Sequence, residues 1–215
     1  MYALKVLTLN AVPHQAGWDF ARALAKGLLD IGYDPRIALL ADEPMLDDAR
    51  INARPVIDRL PIVLNDGSID SVSISASIIE GVFYYLISRE VYKTNSTDPM
   101  NTACTCLVRG ILAGLKAITP KWVPDLVHIN DSCPGLAAVY LHALCLSEWD
   151  LGKAFLTTVH SHAASEYPNT LVTGTGLGDE VRVIKCYKSP RKLASVYDSI
   201  YRQILGEDKA GRLAA

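Results

Sequence analysis

Residues 4–40 spell a strand, a turn-rich loop, a helix and a second strand, an order that calls for a parallel sheet. Leu4–Leu9 is a short apolar run, and Asn10-Ala-Val-Pro13-His14-Gln-Ala-Gly17 carries turn residues. From Trp18 the apolar residues Phe20, Leu24, Leu28 and Ile31 recur at i, i+4, i+8 and i+11, one face of a helix. Gly32 supplies the stop and Pro35-Arg-Ile-Ala-Leu-Leu40 the next strand. Strands joined through a helix run parallel, with a right-handed crossover. The same order returns later. Pro124-Asp-Leu-Val-His-Ile129 reads as a strand, a helix opens near Pro134 and runs through Ala137, Leu141 and Leu144, and Phe155-Leu-Thr-Thr-Val159 is the strand after it.

Between the two units the pattern changes. Residues 41–60 are mixed and charged and read as a surface connection with one helical turn. Asp66-Gly67 is the strongest hairpin signal, with Pro61–Leu64 and Ile69–Ile79 as antiparallel strands around it. Val82–Ile87 is a further buried strand. Asp98-Pro99 opens a long helix with proline at its first position. Cys104, Leu107, Val108, Ile111, Leu115 and Ile118 form its buried stripe, and Gly110 and Gly114 permit close packing. Residues 160–178 read as a long polar loop, and Val181–Ile184 as a short strand. The last helix begins at Ser189-Pro190 and buries Leu193, Val196, Tyr197, Ile200, Ile204 and Leu205. The expected fold class is α/β: a single Rossmann-like, mostly parallel sheet with helices on both faces, an antiparallel hairpin around residues 60–80, and a C-terminal helix docked back. The expected divisions are residues 1–188, the helix at 189–206 and a frayed tail at 207–215.

Composition narrows the function classes. Of 215 residues half are apolar and a fifth charged, which excludes a disordered or fibrous chain. Twenty-one basic against 23 acidic side chains, with no Lys/Arg run, argue against a nucleic-acid surface, because phosphate binding needs clustered cations. No apolar stretch approaches the ~20 residues of a membrane span, and the N-terminus lacks a signal peptide's layout. A cytoplasmic protein is expected. The five cysteines have no zinc-knuckle spacing, and Cys104 and Cys106, two apart, fall on different faces of a helix. They read as small buried hydrophobes in a reducing compartment. Neither a metal nor a cofactor is expected.

In an open α/β sheet, ligands bind beyond the carboxyl ends of the strands. Three such loops are polar here. The first, Asn10–Gly17, includes His14 and precedes a helix whose N-terminus can receive an anion. The second is His128-Ile-Asn130-Asp131-Ser132-Cys133-Pro-Gly135, and the third holds His160, Ser161 and His162. Each residue has a plainer reading. His128, at strand parity with Leu126, serves equally well as a satisfied core histidine, and Asp131 as the cap of the following helix. His160 and His162 point to one side if the strand continues, as an acid/base or substrate-binding pair would, but no third ligand completes a zinc site. Gly174-Thr-Gly176-Leu-Gly178 has the wrong spacing for a dinucleotide fingerprint and reads as a turn.

These strand-end segments carry a resemblance. Lys5-Val-Leu-Thr-Leu with its loop, Phe20–Leu28 and Gly32–Leu40 resemble the start of the glycogen/starch synthases. Pro124-Asp-Leu-Val-His-Ile-Asn-Asp131 is similar to that family's P-D-h-h-H-x-H-D-W segment, where h is apolar. Leu136–Leu141 continues it, and Phe155-Leu-Thr-Thr-Val-His160-Ser161 is similar to its T-I-H-N strand. The resemblance runs in order over residues 3–165, weaker in the middle, and Ser189–Leu205 resembles the closing helix of such GT-B glycosyltransferases.

The resemblance implies the N-terminal domain of a GT-B enzyme plus its returning helix, without the donor-nucleotide domain. It implies transfer of glucose from ADP- or UDP-glucose to an α-1,4-glucan with retention, once a partner completes the cleft. By the same resemblance Asn130, Asp131 and His160 are catalytic, and His14, Gly17, His128, Ser161 and His162 bind substrate. Partners would be an α-glucan acceptor, a nucleotide-sugar donor, and another copy or chain covering the sheet face, with neither nucleic acid nor membrane.

Departures from the pattern imply an alternative. The first loop, His14-Gln-Ala-Gly17-Trp18, has no lysine and only one glycine, Asn130 stands for a histidine and Ser132 for a tryptophan. A non-catalytic glucan-binding or regulatory subunit derived from such an enzyme accounts for those changes. An unrelated Rossmann-like domain is the third reading.

Overall fold

A computed structural model of the chain describes residues 3–10, 16–64, 66–89, 99–118, 122–131, 155–159, 169–174, 179–184 and 190–206. Nine strands form one sheet: β1 (Lys5–Asn10), β2 (Asp34–Leu40), β3 (Arg54–Val63), β4 (Ile69–Ile79), β5 (Val82–Arg89), β6 (Leu126–Asp131), β7 (Phe155–Val159), β8 (Asn169–Gly174) and β9 (Asp179–Ile184). The described helices are α1 (Ala16–Asp30), α2 (Glu43–Asp47), α3 (Pro99–Ile118) and α4 (Pro190–Leu205). The sheet order is β3-β4-β5-β2-β1-β6-β7-β8-β9.

The five central strands, β5-β2-β1-β6-β7, are parallel, and antiparallel pairs flank them on both sides. The fold is therefore α/β and Rossmann-like, as the two strand–helix–strand units require. From β1 the chain steps to β2 on one side, whereas β6 lies on the other. The order of the strands thus reverses between β1 and β6.

Strand parity sorts the two cores. Leu7, Leu9, Val127 and Ile129 face α3, together with Val72, Ile74, Tyr85 and Ile87 from the flank. Alternate residues face the other helices: Val6 and Leu126 pack with α4 and with Phe20 of α1, and Ile37, Leu39, Tyr84 and Leu86 with α1 and α2. Two glycines let α3 lie close to the sheet. A Cβ on Gly110 would stand 3.0 Å from Val72 Cγ2, and one on Gly114 would strike Ile74 Cδ1.

Several details differ from the sequence reading. Residues 54–60, expected as a surface connection, belong to β3. Its register shifts between Pro55 and Ile57 and between Ile57 and Leu60 hide the period-2 pattern of an edge strand. Residues 169–174, expected inside a loop, form β8, and Gly174 pairs with Asp179 to open a hairpin. The rest of the stretch read as a turn, residues 175–178, lies outside the described residues. Ile31 lies past the end of α1 and is exposed, where the expected stripe had it on the buried face. Cys104 and Cys106, on different faces of α3, are both fully buried as expected, because that segment is enclosed nearly all round: Thr105 between them is buried too. Burial also pushes the Cys106 thiol up to about 11. The helix expected from Pro134 and the tail after Gly206 lie outside the described residues.

Two hairpins build the flank. At Asp66-Gly67 the carboxylate accepts from the Ser68 backbone N–H at 2.9 Å and Gly67 takes φ +83°. Between β4 and β5 only Glu80 and Gly81 intervene, both with positive φ (51° and 83°), the two-residue turn that follows the strands' twist. Arg22 and Lys26 of α1 each come within 3.5 Å of Glu80.

Candidate functional site

The site follows from the register of three neighbouring strands. Asn10, the last residue of β1, lies opposite Asn130 of β6, and Asn130 in turn lies opposite Thr158 of β7. Asp131 pairs with Val159, so the residue after Val159 is His160. The carboxyl ends of β1, β6 and β7 are therefore level, at the point where the strand order reverses. In open α/β sheets the crevice beyond such a reversal of strand order is the usual ligand position. Asn10 is fully buried at its floor.

The first turn of α1 lies on the β1 side. Gly17 is its second residue, so its backbone belongs to the turn whose N–H groups have no helical partner and attract anions. Asp19 adds an acidic group to the same turn. Trp18 lies 5.6 Å from the Tyr84 ring, centroid to centroid, and the Arg22 guanidinium 5.8 Å from Trp18.

His128 lies two residues before Asn130 at the same strand parity. It is fully buried, and its Nδ1 shares a 2.8 Å hydrogen bond with the Tyr201 hydroxyl. The Tyr197 ring stacks on the imidazole at 5.2 Å and 26°, and Phe20 meets it edge-on at 6.2 Å. This is the environment of a satisfied core histidine, one of the two roles the sequence left open. Tyr201 was not on the expected buried stripe. The signal was its i+4 spacing from Tyr197, which was on that stripe.

The remaining candidates are placed only in part. Asn130 and Asp131 are set by backbone register. His14, His160, Ser161 and His162 lie outside the described residues. Among the described residues no three His, Cys, Asp or Glu side chains gather as metal ligands. No described helix is long and apolar enough to cross a membrane.

The family model of the starch synthase catalytic domain matches residues 19–199. The chain belongs to that family. The match covers α1 from Asp19 on, the crevice strands β6 and β7, and most of α4, and it begins after β1. No curated protein matches the chain. Among solved structures, the chain is similar to the catalytic domain of starch synthase IV from Arabidopsis thaliana bound to ADP and acarbose. Identity is 20% and the TM-score 0.47, over 60% of this chain and 28% of that one. The starch-synthase-family chain described here thus spans less than a third of that structure's length.

Proposed function

We propose that the chain forms the acceptor-side half of a retaining glucosyltransferase site, acting on ADP- or UDP-glucose and an α-1,4-glucan and completed by a nucleotide-binding domain on a partner. The observation that carries this reading is the level register of Asn10, Asn130 and Thr158 at the reversal of strand order, in a chain of the starch synthase family. In this reading Asn130, Asp131 and His160 surround the transferred sugar. Amide and carboxylate groups suit that task, since a sugar presents hydroxyls that both donate and accept. The first turn of α1, with Gly17, faces the diphosphate. The same reading gives substrate contacts to His14, Ser161 and His162, which follow β1 and β7 in the sequence. Transfer requires the departing diphosphate to be stabilised by fixed positive charge, and the loop Asn10–Gly17 contains no lysine or arginine. The completing domain would supply those cations.

That loop also favours a second reading, a glucan-binding or regulatory subunit that has lost transfer. Without a cation in the loop, and with Asn130 where the family pattern has histidine, affinity for glucan can outlast catalysis. Mass spectrometry of maltooligosaccharides incubated with the pure chain and ADP- or UDP-glucose, beside calorimetry with maltohexaose, separates these. Chains lengthened by one hexose mean that the cleft is catalytic as it stands. Maltohexaose binding without extension supports the half-site or the regulatory subunit. Neither extension nor binding refutes both.

A further inference from the structure

The tyrosines of α4 join two parts of the crevice that are distant in sequence. Tyr197 stacks on His128, which stands two residues before Asn130 on β6. The same Tyr197 meets Phe20 edge-on at 5.7 Å, and Phe20 belongs to the second turn of α1, three residues after Gly17. Tyr201 bonds His128 from below and lies 6.4 Å from the Tyr33 ring, whose hydroxyl donates to Asp198. At the other end of α4, Gly27 brings α1 so close that a Cβ there would strike the Pro190 carbonyl and stand 2.8 Å from Ala194 Cβ. The start of α1 and the end of β6 are therefore held to each other through a helix that starts 174 residues after α1 does (190 against 16).

We infer that α4 is a latch on the crevice: its docking holds the first turns of α1 against the end of β6, so docking and crevice occupancy favour each other. This rests on the crevice reading above. The coupling is reciprocal by thermodynamic linkage: whatever binds between α1 and β6 tightens α4, and whatever draws α4 away weakens the ligand. A segment that captured the apolar face of α4 would thereby switch the site off.

The test is native-state hydrogen exchange on the full chain, as wild type, Gly27→Ala and Tyr201→Phe, with and without ADP or maltohexaose. Gly27→Ala obstructs α4 while favouring the α1 helix itself, and Tyr201→Phe removes only the bond to His128. Both variants are expected to speed exchange of the α4 amides, by about tenfold for Tyr201→Phe from the loss of one hydrogen bond. Exchange at residues 20–22 of α1 should quicken in step, and bound ligand should slow α4 in the wild type. The latch is overturned if α4 opens while residues 20–22 keep their wild-type rates, or if α4 is unmoved in both variants. It is also overturned if the variants bind ligand as tightly as wild type. If neither ADP nor maltohexaose binds wild type, the function reading falls, and the exchange rates alone decide the latch. Should Gly27→Ala fail to fold, Tyr201→Phe carries the comparison.

Discussion

The imidazole of His128 and the hydroxyl of Tyr201 meet at 2.8 Å across a sequence separation of 73 residues, both fully buried. The pair ties the central strand β6 to the last helix. Tyr201→Phe keeps the ring and loses the bond, at an expected cost of about 1 kcal/mol. At this chain length that lowers Tm by roughly 2–4 °C. Tyr197→Ala empties the space over the imidazole and is expected to cost about 3–5 kcal/mol. Urea unfolding of both variants checks the order, and a smaller loss for Tyr197→Ala would contradict it.

Glycine contacts make a second prediction with an internal control. At Gly114 a methyl group meets the flexible end of Ile74, which can turn away, whereas at Gly27 it meets backbone at Pro190. Alanine gains about 1 kcal/mol over glycine within a helix. Gly114→Ala is therefore expected to be near neutral, while Gly27→Ala destabilises by about 1–3 kcal/mol through overpacking. Thermal unfolding of the two variants gives the ranking directly.

Alkaline pH should loosen the protein. Burial raises the Tyr84 hydroxyl to about 12 and the Cys106 thiol to about 11, and it raises Tyr201 well above its ordinary value. Unfolded, these groups ionise near pH 10 for tyrosine and 9 for cysteine. A folded-state value above the unfolded one means that the contribution is complete below pH 9 and is lost as pH rises toward 12. Denaturant midpoints measured from pH 8 to 11 should fall steadily above pH 9. A flat profile would contradict the burial of these groups. By the same argument Cys106 should resist thiol reagents at pH 7 until the protein unfolds.

A further expectation concerns the opposite end of the sheet. The Arg36 guanidinium lies 4.1 Å from the Trp122 ring and 4.9 Å from Phe83, and donates to the Tyr85 hydroxyl at 2.7 Å. The indole N–H of Trp122 donates to Asp34 at 2.7 Å. Lysine cannot keep both the stacking and the bond to the Tyr85 hydroxyl. Arg36→Lys is expected to cost about 1–2 kcal/mol and to shift Trp122 emission, without altering ligand binding at the crevice.

How far these features could be read beforehand depended on their range. β7 and β4 were legible to the residue, since an apolar or alternating run between turn signals has few other solutions. β3 was legible only from Pro61 on, because two register shifts break its alternation before that point and Pro55 argues against a strand. The loop residues of the site stood out as polar clusters at strand ends. The arrangement behind them did not: no local pattern announces that Tyr201 will meet His128, or that Gly27 must be bare because Pro190 lies on it. Those contacts arise only when the sheet order brings distant segments together.

The most direct test of the crevice is a titration of isotope-labelled protein with maltohexaose, followed by backbone amide shifts. The account expects the largest changes at residues 10, 16–18, 128–131 and 158–159, with affinity reduced in Asn130→Ala. Shifts confined to the other pole of the sheet, around Asp34 and Trp122, or no shifts at millimolar sugar, would contradict it.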